Sequence, residues 1–125
     1  MYSDDVDSKY LDKLEEKVGA AGRLKAIEDF LTSMPRRLDD ACDAGRVGDV
    51  QAVGIALIRI REAANHVGAT ELRDLAECIE GVCRRGAREV VLPMLVQLHG
   101  VMHHAEDWMQ SERNALMLGH RVSIH

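Results

Sequence analysis

The apolar residues of this chain keep a helical spacing almost throughout, and this feature most constrains its fold. They recur three or four positions apart in five runs of the sequence, which places them on one side of an α-helix. Glycines separate the runs, and we expect them to mark turns. The runs predict a short first helix to about residue 18, followed by helices over residues 23–44, 49–67, 70–85 and from about 87 past 108.

Four of these helices are long and amphipathic, and the connections between them are short. Short connections make successive helices neighbours that run in opposite directions. The sequence therefore predicts an all-α fold: an antiparallel four-helix up-down bundle with a short extra helix at the N-terminus. Pro35 lies inside the second helix, so we expect a kink or a break after Ser33.

Size, charge and cysteine content exclude several classes of protein. A length of 125 residues fits one domain, and the sequence has no run of about 18 apolar residues that would cross a membrane. The formal net charge of -5 disfavours nucleic acid and anionic membrane surfaces as partners. Three cysteines without C-x-x-C spacing predict reduced thiols and a cytoplasmic location. Cys78 and Cys83 are expected to pack as small apolar residues.

The third predicted helix carries isoleucines on the side opposite its apolar face. Each residue turns the helix by about 100°, so with Val53 at 0° the apolar face is centred near roughly 350°. Ile58 then lies at about 140° and Ile55 at about 200°, and both should face away from the core. The inward face consists of Val53, Ala56, Leu57, Ile60, Ala63, Ala64 and Val67.

The segment from Leu57 to Glu80 resembles the histidine phosphotransfer (HPt) domain family. The pattern of that family reads roughly His-x-x-Lys-Gly-x-x-x-x-x-Gly-Ala, followed by a leucine and a Cys-x-x-Glu-like ending. In this chain Ile58 occupies the histidine position, Arg61 the lysine position and Glu62 the small glycine position. The later glycine and alanine are retained as Gly68-Ala69.

The resemblance covers about residues 5–110. It implies a helical bundle over residues 1–110, followed by a helical extension or tail over residues 111–125. It also implies a role in a bacterial two-component phosphorelay, with the receiver domain of a response regulator or a sensor histidine kinase as the partner. In this family an exposed histidine takes and returns a phosphoryl group on the surface that meets the receiver domain. Ile58 would therefore lie at the centre of a partner-binding surface.

The side chains of this surface predict binding without phosphoryl transfer. An isoleucine offers no nucleophile and no lone pair, so Ile58 cannot accept a phosphoryl group. Arg61 retains a positive charge suited to a phosphate, but the carboxylate of Glu62 adds bulk and repels it. We predict a non-enzymatic protein without metal or cofactor. The predicted partner-binding residues are Ile55, Ile58, Arg59, Arg61, Glu62, Asn65 and His66.

Two alternatives remain open from the sequence. A displaced histidine would make the protein an active phosphotransfer protein, through His66 or a histidine of the last helix. His66 follows Ile58 by eight residues, which places it about 12 Å further along the helix axis. The bundle could instead be a self-association module, a homodimer built on Ile55 and Ile58. Isolated apolar residues are also common on protein surfaces.

The last predicted helix carries a second group of titratable residues. His99 and His103 are one helical turn apart and Glu106 follows three residues later, so two imidazoles and a carboxylate could converge on zinc. The apolar phase of that helix and the absence of an H-E-x-x-H motif favour a solvated cluster instead. The sequence also contains no phosphate-binding glycine loop, no G-x-G-x-x-G and no G-x-S-x-G.

Overall fold

The computed structural model describes residues 8–123, which form four α-helices around one core. The helices are α1 (Ser8–Arg46), α2 (Val50–Val67), α3 (Thr70–Arg84) and α4 (Arg88–Ser123). Helix α1 packs against α2 and α4, and α3 packs against the same two helices. The connections span only residues 47–49, 68–69 and 85–87, so successive helices run antiparallel. The predicted four-helix bundle is confirmed. None of the helices in the described range is both long and apolar enough to span a membrane.

Helix α1 contains the predicted short N-terminal helix as its first segment. The backbone at Gly19 has φ 78° and ψ 175°, which is not helical, and it divides α1 into two helical segments. A side chain at Gly19 would meet no neighbouring atom. The glycine is therefore required by its backbone conformation, which other residues adopt at a cost. Helices α2, α3 and α4 correspond to the third, fourth and fifth predicted helices.

The break expected after Ser33 is wrong. Helix α1 continues through Pro35, and its backbone there stays helical. Proline removes one intrahelical hydrogen bond and crowds the preceding turn. Phe30, Met34 and Leu38 are nevertheless buried in the core on this stretch of α1, and their packing outweighs the local preference of the proline.

The inward face of α2 has the predicted phase. Every member of that face is buried except Ala63, which is partly buried against the core. The turn after α2 is closed by Gly68, whose φ of 76° lies in the left-handed region that favours glycine. Its amide donates to the carbonyls of Ala64 and Asn65. This turn fixes the direction in which α3 returns along α2.

A buried arginine joins the N-terminal and C-terminal parts of the described chain. Arg23 Nη1 donates to Asp12 at 3.0 Å and to Glu15 at 3.2 Å, and its Nη2 donates to Glu112. These contacts tie the first segment of α1 to the C-terminal part of α4. Because α4 continues unbroken to Ser123, no break separates residues 111–123 from the bundle. The predicted division at residue 110 stays a prediction, and residues 1–7 and 124–125 lie outside the described residues.

Candidate partner-binding surface on α2

Ile55 and Ile58 of α2 are exposed, as the helical phase predicted. The exposed fraction is 57% for Ile55 and 39% for Ile58, whereas the adjacent Ala56 and Leu57 are buried. The N-terminus of α2 is capped by Asp49, whose Oδ1 accepts from the amide of Ala52 at 3.1 Å. Cap and core packing together hold the helix that presents both isoleucines. They lie on a rigid element, which lowers the entropy cost of binding a partner.

Ile55 and Ile58 line an open groove between α2 and α3, which we call the apolar groove. Its volume is about 480 Å³. Cys83 of α3 is buried beside it, whereas Cys78 of the same helix is exposed, so the expectation of two packed cysteines is wrong for Cys78. Burial raises the pKa of the Cys83 thiol, and the nearby charge of Glu80 raises it further. The groove is lined by Val50, Gln51, Gly54, Ile55, Ile58, Glu80, Cys83 and Arg84.

Arg61 is turned toward α3 and held there by a carboxylate. Its Nε donates to Glu80 Oε2 at 2.6 Å, and the side chain of Glu80 is only 6% exposed. The hydrogen bond with Glu80 raises the pKa of Arg61, and the charge of Glu80 adds to that effect. The guanidinium thus neutralises a buried carboxylate of the fold. The positive charge expected to steady a phosphate on the outer face is already paired.

The opposite side of α2 forms a more polar groove with α1. Arg59, Glu62 and His66 line it together with α1 residues that include Arg37. The Nη1 atom of Arg37 donates to the backbone carbonyl of Arg59 at 3.1 Å, which fixes the two helices at this level. The volume of this α1–α2 groove is about 520 Å³. The predicted site residues are therefore divided between two sides of α2.

Asn65 and His66 occupy the last turn of α2. Asn65 Oδ1 accepts from Arg73 Nη1 of α3 at 3.4 Å, so this residue lies toward α3. His66 is exposed and lies toward α1. It is about 12 Å along the axis from Ile58, so a partner centred on Ile58 would meet it only at the margin of the contact.

His99, His103 and His104 of α4 do not gather into a metal site. His103 Nδ1 lies 4.0 Å from Glu106 Oε1, and His99 and His104 are exposed. Burial raises the pKa of Glu106, while the charges of His103 and His99 lower it. Among the side chains that the structure describes, those of residues 9–118, no group of three or more His, Cys, Asp or Glu residues is placed to hold a metal ion.

The sequence pattern did not reveal what α1 and α3 contribute to this surface. Up-down topology makes both helices neighbours of α2, but it does not fix which side chains stand at the same height. Arg37 of α1 and Cys83 of α3 line the grooves beside α2 because each lies at the same level as the site residues of α2. The carboxylate of Glu80 could have been noticed, because an acidic residue interrupts the apolar stripe of α3.

Comparisons with known proteins agree with this geometry. A family model described as the Hpt domain matches residues 25–114, a range that includes Ile58 and the turn at Gly68. Among solved structures, the chain is similar to the crystal structure of histidine-containing phosphotransfer protein B (HptB) from Pseudomonas aeruginosa PAO1. The TM-score is 0.85 at 20% sequence identity, and the match covers 91% of this chain and 98% of that chain. At that identity the likeness concerns the fold. No curated protein sequence matches the chain.

Proposed function

From the premise that this chain belongs to the Hpt domain family, we propose that it binds a receiver domain or a sensor histidine kinase of a bacterial phosphorelay without carrying the phosphoryl group itself. The observation that supports this most directly is the exposed Ile58 at the position where the family places its reactive histidine. The protein would act in the cytoplasm, where such partners exchange phosphoryl groups.

The side chains near Ile58 argue against phosphoryl transfer there. Transfer requires a nitrogen lone pair that attacks phosphorus while the carboxylate of the donor aspartate leaves. A hydrocarbon side chain supplies no such pair. Glu62 is exposed one helical turn after Ile58, where its carboxylate repels a phosphoryl group, and Arg61 is paired with Glu80. The lack of a nucleophile at position 58 and the lack of a free cation at position 61 both argue against phosphoryl transfer.

The same surface favours binding. Ile55 and Ile58 combine exposed apolar area with an adjoining groove, and apolar anchors that enter partner pockets dominate the affinity of many interfaces. A protein that covers the docking face of a receiver without chemistry would compete with active phosphotransfer proteins. Such competition would lower phosphoryl flux through the pathway.

The binding experiment uses purified receiver and histidine-kinase domains encoded in the same genome as this protein. We expect at least one to bind, and Ile58→Glu to weaken the Kd by about tenfold or more, because a carboxylate would be buried in an apolar contact. The matched control is Val96→Glu on α4, where the valine is 74% exposed and away from α2. Failure of every domain to bind, or equal binding by Ile58→Glu, would refute the proposed function.

A displaced phosphotransfer site at His66 is the second candidate, because its imidazole is exposed and lies in the same groove as Arg37 and Arg59. Incubation with a ³²P-labelled phospho-receiver separates the two candidates. We expect no acid-labile label on the wild-type protein. A label that disappears in His66→Ala would establish transfer through His66 and end the binding-only proposal.

The third candidate, self-association, is separated by mass. A homodimer built on Ile55 and Ile58 would be seen by light scattering of the purified protein and would dissociate in Ile58→Glu. We expect a monomer at the concentrations used for partner binding, since we propose that these isoleucines contact a different protein.

A further inference from the structure

The side of α2 that faces α1 carries arginines that the proposed function does not use. Arg36 and Arg37 of α1 and Arg59 of α2 line a pocket of about 380 Å³, which we call the arginine pocket. Its remaining lining consists of Thr32, Ser33 and Asp40. The lining of the pocket thus contains three guanidinium groups and one carboxylate. The formal net charge of the whole chain is -5. The local charge is opposite to that of the whole protein.

The arginine pocket is held in place but its charge is largely unpaired. Arg37 spans the two helices through its hydrogen bond to the Arg59 carbonyl, and it forms no ion pair with a carboxylate of the described residues. In the part of the chain that the structure describes, neither Arg36 nor Arg59 forms an ion pair with an aspartate or glutamate. Solvent-exposed guanidinium groups in this state are suited to bidentate contact with carboxylates of another protein.

The arginine pocket is continuous with the α1–α2 groove and adjoins Ile58 at Arg59. Arg59 follows Ile58 in the sequence, and Ser33, Arg37 and Arg59 line both this pocket and the α1–α2 groove. Arg59 also follows Ile55 by one helical turn, and both side chains are exposed, so a protein that covers the two isoleucines reaches Arg59 at the edge of the contact. A charged rim beside an apolar centre is the usual arrangement of a protein–protein interface.

We infer that the arginine pocket receives an acidic segment of the receiver domain that covers Ile55 and Ile58. The inference rests on the proposed function and adds to it the charge of the partner surface and its orientation. Because the chain as a whole is acidic, an acidic partner is repelled except where this pocket faces it. The three arginines of the pocket therefore steer the partner into one orientation and raise the association rate.

The test measures association and dissociation rates for a receiver domain that binds in the panel described above. We expect Arg36→Glu/Arg59→Glu to lower the association rate roughly tenfold at low salt, with a smaller change in dissociation, because rim charges act mainly on the encounter. The difference should shrink as the ionic strength rises, because salt screens exposed charges. Circular dichroism checks that both exposed substitutions leave the bundle folded.

The control is Lys13→Glu/Lys17→Glu, which changes the net charge equally and lies on the first segment of α1, outside both grooves. An equal loss in both double variants would show that net charge alone matters and would overturn the inference. Unchanged association of the arginine variant, with binding still lost in Ile58→Glu, would overturn it while leaving the proposed function intact. A panel in which no receiver binds the wild-type protein would overturn the inference, and one in which no histidine-kinase domain binds either would overturn the proposed function as well.

Discussion

The two sides of α2 use arginine in opposite ways. On the α3 side, Arg61 forms an ion pair with the buried carboxylate of Glu80, and the adjoining surface is apolar. On the α1 side, Arg37 binds only a backbone carbonyl, and Arg59 forms no carboxylate pair among the described residues. Charge that neutralises a buried partner stabilises the bundle, whereas charge left at the surface is available for recognition. We therefore expect the position of an arginine around α2 to decide whether it is paired inside the fold or left exposed at the surface.

The largest expected effect comes from restoring the missing chemistry between these two sides. Ile58→His/Glu62→Gly supplies an exposed imidazole and removes the repelling carboxylate, so we expect it to gain acid-labile ³²P from a phosphorylated receiver, where the wild-type protein gains none. The phosphoryl group would move from the receiver aspartate to an imidazole nitrogen as the carboxylate leaves. Labelling is measured by autoradiography after brief incubation.

The control for this gain is Ile58→Gln/Glu62→Gly, which has a polar side chain of similar reach but no nucleophile. Label on the histidine variant alone would show that the surface still presents a receiver in the correct geometry. A histidine variant that binds the receiver but stays unlabelled would contradict that view, and it would direct attention to the pairing of Arg61 with Glu80.

Stability should differ sharply between neighbouring residues of α2. Leu57 is fully buried, so Leu57→Ala should lower the free energy of unfolding by about 2–5 kcal/mol through lost burial and a cavity. Ile58→Ala removes a partly exposed side chain and should cost about 1 kcal/mol or less. Urea denaturation followed by circular dichroism gives both values. Equal costs would mean that α2 has a different phase and that Ile58 is part of the core.

The fold was predictable because its determinants are local. The helical spacing gave the bundle, and the glycine at position 68 marked the turn that the structure shows. The helical angle of Arg61 also indicates that its side chain can reach a neighbouring helix. With Val53 at 0°, Arg61 falls at about 80°, which is a side of the helix rather than its outer face. Its grouping with the outer residues followed the resemblance rather than the angle.

The features that escaped prediction depend on other helices. The helix through Pro35 persists because Phe30 and Met34 find a core supplied by the rest of the bundle, which no local rule contains. Arg36 and Arg59 are 23 positions apart in the sequence and meet in one pocket only because α1 and α2 pack at a particular height. Periodicity reports the phase of a helix but not its height against a neighbour.

A comparison of arginine variants tests the difference between the two sides directly. Arg61→Ala leaves the buried carboxylate of Glu80 without its partner, so we expect a clear loss of thermal stability. Arg59→Ala removes an exposed side chain and should change the free energy of unfolding by no more than about 0.5 kcal/mol. Calorimetry of both variants measures the difference. The reverse order would contradict the assignment of stability to the α3 side and recognition to the α1 side.

The smallest expected effect concerns Cys83 at the floor of the apolar groove, whose thiol should react slowly with small alkylating reagents. Cys83 is buried and its pKa is raised by burial and by Glu80, so less thiolate is present at a given pH and less of it is reachable. We expect iodoacetamide to alkylate Cys83 about tenfold more slowly than the exposed Cys78 at pH 8. The Cys83 rate should continue to rise with pH above the range of an ordinary thiol.

Cys78 lies on the same helix and serves as the internal standard, and mass spectrometry of the alkylated peptides gives both rates. In urea the two cysteines should react alike, because the difference belongs to the folded state. If Cys83 reacts as fast as Cys78 in the native protein, the contact between α2 and α3 opens readily. Ile58 would then border a mobile cleft, and the α3 side would not be the rigid side on which Glu80 holds Arg61.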